Sequence, residues 1–250
     1  MFSDMMYEKK DKVLKEFNEH LNNISQKIIS TNDYMFSFFD SFIEKEFDII
    51  NMNYIVSDYM NTTFSDIMSS MCYKNIISLL SAIDLVKQGY LGSATIIFRN
   101  VYENLLIGKL IGVTNDYSYY ERWVSGEQFS IRVDVFARLV NTPSDEAKEF
   151  WDILNKYVHS TIYAQDFELE LNEKKIQNCN SIISALLDMN YHLLNTFVSK
   201  YHNYYLKYYF GDYYDEIKKE LRIILSESRK MLDKRLKKVI KEYTAKWVLK

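Results

Sequence analysis

The chain has 250 residues, among them one proline and six glycines, and its formal net charge is −3. β-Sandwiches and barrels depend on frequent Gly and Pro turns, so this composition excludes a large β protein. It predicts an all-α fold, a bundle of long helices joined by few turns.

The N-terminal part of the chain is expected to be helical, because its apolar residues recur at helical spacing. We expect one helix over residues 3–30 and a second over residues 33–47. Residues 51–63 are ambiguous, and a helix that breaks near Asn61 is one interpretation of them.

The next two helices have the strongest pattern. Apolar residues repeat at helical spacing over residues 66–88, and the Gly-Tyr-Leu-Gly at residues 89–92 predicts a helix stop and a short turn. A second helix is expected over residues 93–111, with Gly112 as its end. Two apolar helices joined by so short a turn should pack as an antiparallel pair.

The middle of the chain contains the clearest helix start signal. Residues 117–123 and 129–139 are each expected to form a short helix. After them Thr142 is a suitable N-cap, Pro143 fits the first helical position, and the acidic residues that follow favour the positive end of the helix dipole. The helix that begins there should run to about Tyr163.

The C-terminal part begins with residues 167–171, which alternate like a short strand. One strand cannot form a sheet, so an extended loop is the alternative. Two long helices are then predicted over residues 173–210 and 213–246, with a break at Gly211.

These elements divide the chain into three segments. Residues 1–64 form an N-terminal helical segment, residues 65–165 a helical core, and residues 166–250 a pair of long helices packed on that core. Charge is unevenly divided: residues 217–250 hold twelve Lys and Arg against four Asp and Glu, a net charge of +8, which leaves −11 on the remainder. Such a basic tail either contacts nucleic acid or packs against the acidic body of its own chain with a solvated basic face, and we favour the second interpretation.

Three features bear on the compartment. Cys72 and Cys179 are far apart and lack metal-site spacing, which predicts neither a disulfide framework nor a zinc site and favours the cytoplasm. The N-terminus becomes charged before any apolar run begins, unlike a signal peptide. The most apolar stretch, residues 93–113, contains three charged residues, which argues against a membrane span.

The first candidate site lies on the helix predicted over residues 93–111. Arg99 and Glu103 are one turn apart on a helix that is apolar nearly all round, which predicts a buried ion pair. Asp84, on the preceding helix, is expected to face this pair. Two roles are open: a structural ion pair that fixes helix register, or part of an active site.

A second candidate site lies on the helix that follows Pro143. Asp152, Asn155 and His159 are expected together on the face opposite its apolar stripe. His159 is a candidate general acid or base, because the unperturbed pKa of histidine lies near neutrality. The alternative is an ordinary solvent-exposed histidine.

A third set of residues is an aromatic stripe near the C-terminus, formed by Tyr201, Tyr204, Tyr205 and Tyr208. Aromatic side chains at helical spacing most often pack a core or a dimer seam, which is the interpretation we favour. Base stacking is the alternative, because basic residues are close by.

The central segment resembles bacterial HEPN-like proteins. The resemblance is carried by the Gly-Tyr-Leu-Gly-Ser-Ala at residues 89–94, by Arg99 and Glu103, by Trp151, and by the Tyr-Val-His at residues 157–159. HEPN domains are helical bundles, commonly dimers, that occur in toxin–antitoxin, abortive-infection and CRISPR-linked ribonucleases. The resemblance therefore implies a HEPN-like bundle with additional long helices at both ends.

The resemblance also implies a chemistry. Active family members place an arginine a few residues before a histidine and cleave RNA without a metal or other cofactor. Here His159 matches the histidine, whereas Asn155 lies four residues upstream of it and the nearest upstream arginine is Arg138. Arg99, oriented by Glu103, would then supply the positive charge.

Three functions follow as expectations. The first is a metal-independent ribonuclease in bacterial antiviral defence or a toxin–antitoxin system, with RNA as substrate, a homodimer as the working form and an antitoxin or defence protein as partner. The second is a non-catalytic module that binds a partner or a small ligand at Arg99 and Glu103. The third is a structural subunit of a larger assembly, joined through its C-terminal helices.

Overall fold

The computed structural model describes residues 2–60, 63–114, 116–127, 145–158 and 172–245. Over these residues the chain forms eight α-helices and no strand, which confirms the all-α prediction. The helices are α1 (Phe2–Met60), α2 (Thr63–Lys87), α3 (Leu91–Thr114), α4 (Tyr117–Val124), α5 (Asp145–Val158), α6 (Glu173–Tyr201), α7 (Asn203–Met231) and α8 (Lys234–Thr244). The elements predicted at residues 129–139 and 167–171, and the start signal at Pro143, lie outside the described residues.

The N-terminal helix α1 is one continuous helix, and the prediction of two helices there was wrong. The polar residues at the expected break are accommodated within the helix, with their side chains bonded to carbonyls one turn earlier. Thr31 Oγ1 donates to the Lys27 carbonyl at 2.8 Å, and Asn32 Nδ2 donates to the Ile28 carbonyl at 3.0 Å. Asn180 of α6 also donates to Asn32 Oδ1 at 2.9 Å, so a contact distant in sequence supports the helix.

The helices α2 and α3 form the predicted hairpin. Gly89 adopts a positive φ of 86°, which suits a residue without a Cβ. Its N–H donates to the Val86 carbonyl at 3.0 Å, and the Tyr90 N–H donates to the Leu85 carbonyl at 2.8 Å. These two bonds are those of a Schellman C-cap, and they satisfy carbonyls at the end of α2.

Two glycines let α3 pack closely against its neighbours. A Cβ at Gly108 would lie 2.7 Å from Met71 Sδ and 2.8 Å from Leu193 Cδ2, and a Cβ at Gly112 would collide with the Phe197 ring. Gly112 does not end the helix as expected, since α3 continues to Thr114. The glycine at this position serves close helix packing rather than a turn.

The helix α3 is the centre of the bundle. It packs against α2, α5 and α6, with α4 near its end, and only Ile96 and Asn100 along it are exposed. The long helix α1 covers α2, α6 and α7, while α8 packs on α5 and α6. Buried apolar side chains from α1, the central helices and the C-terminal helices form one cluster. Each such side chain stabilises the fold by about 1.5–3 kcal/mol relative to an exposed position.

The C-terminal helices divide differently from the prediction. The first of them ends at Tyr201, well before the expected break. That break, at Gly211, is instead a kink inside α7 with φ 49° and ψ −128°. The last predicted helix is interrupted at Asp233, whose carboxylate accepts from the Leu236 N–H at 2.7 Å and caps α8.

A chain of polar side chains crosses the core from α1 to α3. Asn190 Nδ2 donates to Glu46 Oε1 at 2.8 Å, Asn75 Nδ2 donates to Asn190 Oδ1 at 3.0 Å, and Asn104 Nδ2 donates to Asn75 Oδ1 at 3.1 Å. Glu46 is fully buried, and its Oε2 has no hydrogen-bond partner among the described residues. Burial, opposed by the Asn190 hydrogen bond, raises the pKa of Glu46 well above its usual range.

This raised pKa of Glu46 makes stability depend on pH. An unfolded glutamate titrates near about 4.3, so above that pH the folded state binds more protons than the unfolded state. The free energy of unfolding should therefore fall by about 1.4 kcal/mol per pH unit until Glu46 ionises in the folded state. Glu46→Gln, which keeps the shape without the charge, should remove this loss. Urea unfolding of both proteins from acidic to alkaline pH measures it, and parallel profiles for the two would contradict the prediction.

Candidate functional site

Arg99 is held at the contact between α3 and α5. Its Nη1 lies 2.5 Å from Glu103 Oε2, one turn further along α3, as the spacing predicts. Its Nε donates to Asn155 Oδ1 of α5 at 3.3 Å, and its guanidinium lies 4.8 Å from the centre of the Trp151 ring. A cation over an indole face is stabilised by the ring quadrupole. Three contacts therefore fix the position and plane of this guanidinium.

The ion pair is only half-buried. The side chains of Arg99 and Glu103 are 27% and 22% exposed, so the expectation of a fully buried pair was wrong. Burial raises the pKa of Glu103, and the Arg99 charge and hydrogen bond oppose that shift. Asp84 does not face the pair, since it is exposed on α2 and makes no ion pair with a described residue.

A cleft opens beside this pair. Its volume is about 460 Å³, and it is lined by Arg99, Glu103, Asn104, Ile107, Trp123, Gly126 and Glu127. Glu127 is held by Arg122 of α4, whose Nη2 and Nε lie 2.7 Å and 2.8 Å from its Oε1. Asn104 is the outer end of the polar chain that begins at Glu46. The walls thus combine the Arg99–Glu103 pair, the Glu127 carboxylate that Arg122 holds from outside the lining, an amide and an indole.

The hydrogen-bonding capacity of the cleft follows from these pairs. Arg99 uses Nε and Nη1 within the protein, and its Nη2 makes no hydrogen bond to a described residue. That amino group can donate to an acceptor such as a phosphate oxygen. The neighbouring carboxylates of Glu103 and Glu127 can accept from a ligand. The cleft therefore suits a ligand that presents both acceptors and donors.

The structure brings together three of the four predicted site residues. Arg99 and Glu103 lie on α3, and Asn155 reaches them from α5 although it is 56 residues from Arg99 in sequence. His159 lies outside the described residues, as does Arg138. The last residue of α5 is Val158, so His159 follows it directly in the chain.

The helical wheel missed the role of Trp151. Asn155 was expected on the face opposite the apolar stripe of its helix, yet both Asn155 and Trp151 contact Arg99. The two residues are four apart and therefore lie on one helix face. That spacing was visible in the sequence. Trp123 of α4 and Glu127, which follows the turn after α4, also line the cleft, and no pattern in the sequence pointed to them.

The aromatic stripe near the C-terminus is only partly in contact with the core, because Tyr205 packs against the core cluster while two of its neighbours do not. Tyr204 and Tyr208 are each 73% exposed on α7, and Tyr205 is half-buried. The inward face of the same helix is instead formed by residues such as Leu206 and Tyr214, both fully buried. Tyr205 is compatible with the expected core packing, and the exposure of Tyr204 and Tyr208 is compatible with an interface with another chain.

Comparisons with protein-family models, with curated proteins and with solved structures give no match for this chain. In the part of the chain that the structure describes, no helix is long and apolar enough to cross a membrane. The same residues include no group of three or more His, Cys, Asp and Glu side chains that could hold a metal ion. Cys72 and Cys179 are both buried free thiols.

The partial exposure of the Arg99–Glu103 pair predicts a modest contribution to stability. Fully exposed pairs contribute about 0.2–1 kcal/mol, and breaking a fully buried pair costs about 3–5 kcal/mol. We expect Glu103→Gln to lower the free energy of unfolding by about 1–2 kcal/mol, since water can solvate the remaining Arg99 charge. Urea denaturation measures this. A loss as large as that of a buried pair would contradict the observed exposure.

Proposed function

We propose that the cleft beside Arg99 is the active site of a metal-independent ribonuclease that acts in bacterial defence or as a toxin. The observation that supports this proposal best is the hydrogen bond from Arg99 Nε to Asn155 Oδ1. This bond joins α3, which carries Arg99, to α5, whose last residue directly precedes His159 in the sequence. These are the residues that the HEPN-like resemblance points to.

Each residue has a defined task in this proposal. His159 removes the proton of a ribose 2′-hydroxyl, whose oxygen attacks the adjacent phosphorus while the bond to the 5′-oxygen breaks and that oxygen takes up a proton. The products are a 2′,3′-cyclic phosphate and a 5′-hydroxyl. Arg99 Nη2 donates to the phosphate oxygens as their charge grows, and Glu103, Asn155 and Trp151 hold its guanidinium in place.

The working form in this proposal is a cytoplasmic homodimer, as in the resembling family, in which a second copy brings a second His159. An antitoxin or another defence protein would restrain its activity. The exposed Tyr204 and Tyr208 of α7 supply an aromatic surface for such a protein contact.

A non-catalytic binding module is the second candidate function, and one observation favours it. Glu103 already pairs with Arg99 at 2.5 Å, and Glu127 pairs with Arg122, outside the lining, at 2.7 Å, so the cleft has no excess of positive charge. A balanced cleft attracts phosphate less strongly than a cationic one. It suits a neutral or zwitterionic ligand that exchanges hydrogen bonds with both pairs.

The ribonuclease proposal predicts RNA cleavage in excess EDTA. Positioned acid or base catalysis is worth about 10²–10⁴ in rate, so His159→Ala should lose at least that factor. Arg99→Lys should also be strongly impaired, because lysine cannot keep the bonds to both Glu103 and Asn155. His20→Ala, which changes an exposed histidine of α1, is the matched control and should remain active. Gel assays on total cellular RNA measure all four proteins.

Two results would separate the candidate functions. Absence of cleavage by the wild-type protein, alone and with the proteins encoded beside it, would reject the ribonuclease and leave the binding module. Cleavage that survives in His159→Ala would keep the activity but reject this site.

A further inference from the structure

A second polar site lies where α6, α7 and α8 meet. Arg229 of α7 holds Asp188 of α6 through two parallel bonds, Nε to Oδ2 at 2.5 Å and Nη2 to Oδ1 at 2.7 Å. The Asp188 side chain is 1% exposed, whereas that of Arg229 is 49% exposed. The bidentate pair therefore fixes the guanidinium plane, while Nη1 makes no hydrogen bond to a described residue.

Two clefts flank this arginine. One has a volume of about 350 Å³ and includes Arg222, Tyr191, His192 and Asn195 in its walls. The other has a volume of about 310 Å³ and is lined by Lys237, Lys241, Ile240 and Thr244 together with Arg229. Arg229 belongs to both, so the two clefts are neighbours. We call the surface formed by Arg222, Arg229, Lys237 and Lys241 the basic seam.

The basic seam has excess positive charge. Arg222, Lys237 and Lys241 are exposed, and none of them forms an ion pair with a described residue. Asp188 is the single carboxylate that the described residues contribute to the walls of the two clefts, and Arg229 already neutralises it. The seam is thus unlike the cleft beside Arg99, where each arginine has its own glutamate.

Two titratable groups near the seam have lowered pKa values and so favour their neutral forms. Lys109 of α3 is buried, which lowers its pKa to about 8. Burial, followed by the charges of Lys109 and Arg229, lowers the pKa of His192 to about 4, so this histidine is neutral at physiological pH. An anion bound in the seam would offset this accumulation of charge.

We propose that the basic seam binds the phosphate backbone of a single-stranded nucleic acid. Arg222 and Arg229 are two helical turns apart on one face of α7, about 10 Å by helix rise, which is more than one phosphate group spans. Lys237 and Lys241 of α8 add two further positive charges in the cleft that they share with Arg229. The one Phe, Tyr or Trp ring in the described walls is that of Tyr191, which is only 6% exposed, so no ring of these three kinds is available for a base to stack on. Recognition is therefore of phosphates, without preference for base sequence.

This site requires neither Arg99 nor His159, so it stands independently of the ribonuclease proposal. The proposal predicts a defined salt dependence. Binding of a single strand weakens with salt with a logarithmic slope of about −0.7 for each phosphate contacted. Three to four cations in contact give a slope of about −2 to −3.

The test uses the full chain and a short fluorescent oligodeoxythymidylate, whose binding is followed by anisotropy at several salt concentrations. DNA lacks the 2′-hydroxyl, so the probe cannot be cleaved by the proposed chemistry, and binding is measured apart from activity. Lys237→Gln with Lys241→Gln should weaken binding and reduce the slope by about 1.4. Lys15→Gln with Lys27→Gln removes the same charge from exposed positions on α1 and should leave the slope unchanged.

Thermal melts establish that both double variants are folded. Equal slopes in the two double variants would overturn the proposal, as would failure of the wild-type protein to bind the probe at low salt. Displacement of the probe by oligodeoxyadenylate as readily as by unlabelled oligodeoxythymidylate is expected. The proposal would be overturned if inorganic phosphate or anionic lipid vesicles displaced the probe and neither unlabelled oligonucleotide did.

Discussion

Nearly the whole surface of α3 is apolar, and the need to cover it places the other helices. A helix with a single apolar stripe needs one neighbour, whereas α3 is enclosed by α2, α5 and α6. The short turn at Gly89 places α2 directly against α3. The helices α5 and α6 come from parts of the chain that are distant in sequence. The helix α6 packs closely on α3 because Gly108 and Gly112 leave room for its side chains. Loss of this enclosure would expose the centre of the single core.

The same enclosure explains where the polar groups of the bundle are found. A polar side chain on a covered helix must find a partner on the helix that covers it. Asn104 meets Asn75 of α2, and Arg99 meets Asn155 of α5. Lys109 lies 5.7 Å from the centre of the Tyr243 ring of α8. The candidate site is thus a consequence of how an apolar helix accommodates the few charges it carries.

Features that depend on near neighbours in sequence were predictable. The α2–α3 hairpin needed one glycine turn, and the Arg99–Glu103 pair needed only helical spacing, and both are formed. Features that depend on distant segments were not. The helix α1 is supported at Asn32 by a hydrogen bond from Asn180, and no local sequence pattern predicts that hydrogen bond. Asn155 was expected to face away from the apolar stripe of α5, and this was wrong because its Oδ1 accepts from Arg99 of α3, 56 residues away in the sequence.

The two polar sites are connected through α3, which presents different faces to them. Arg99, Glu103 and Ile107 follow one another at helical spacing along the face that lines the first cleft. Leu105 and Lys109 lie on another face, where Tyr243 Oη donates to the Leu105 carbonyl at 3.1 Å and places α8. Charge is balanced at the first face and in excess near the second. A nucleic-acid strand would therefore gain its affinity from the positive charge of the basic seam. The cleft then needs no excess charge to attract the strand, and its acceptors and donors around Arg99 can serve to orient it.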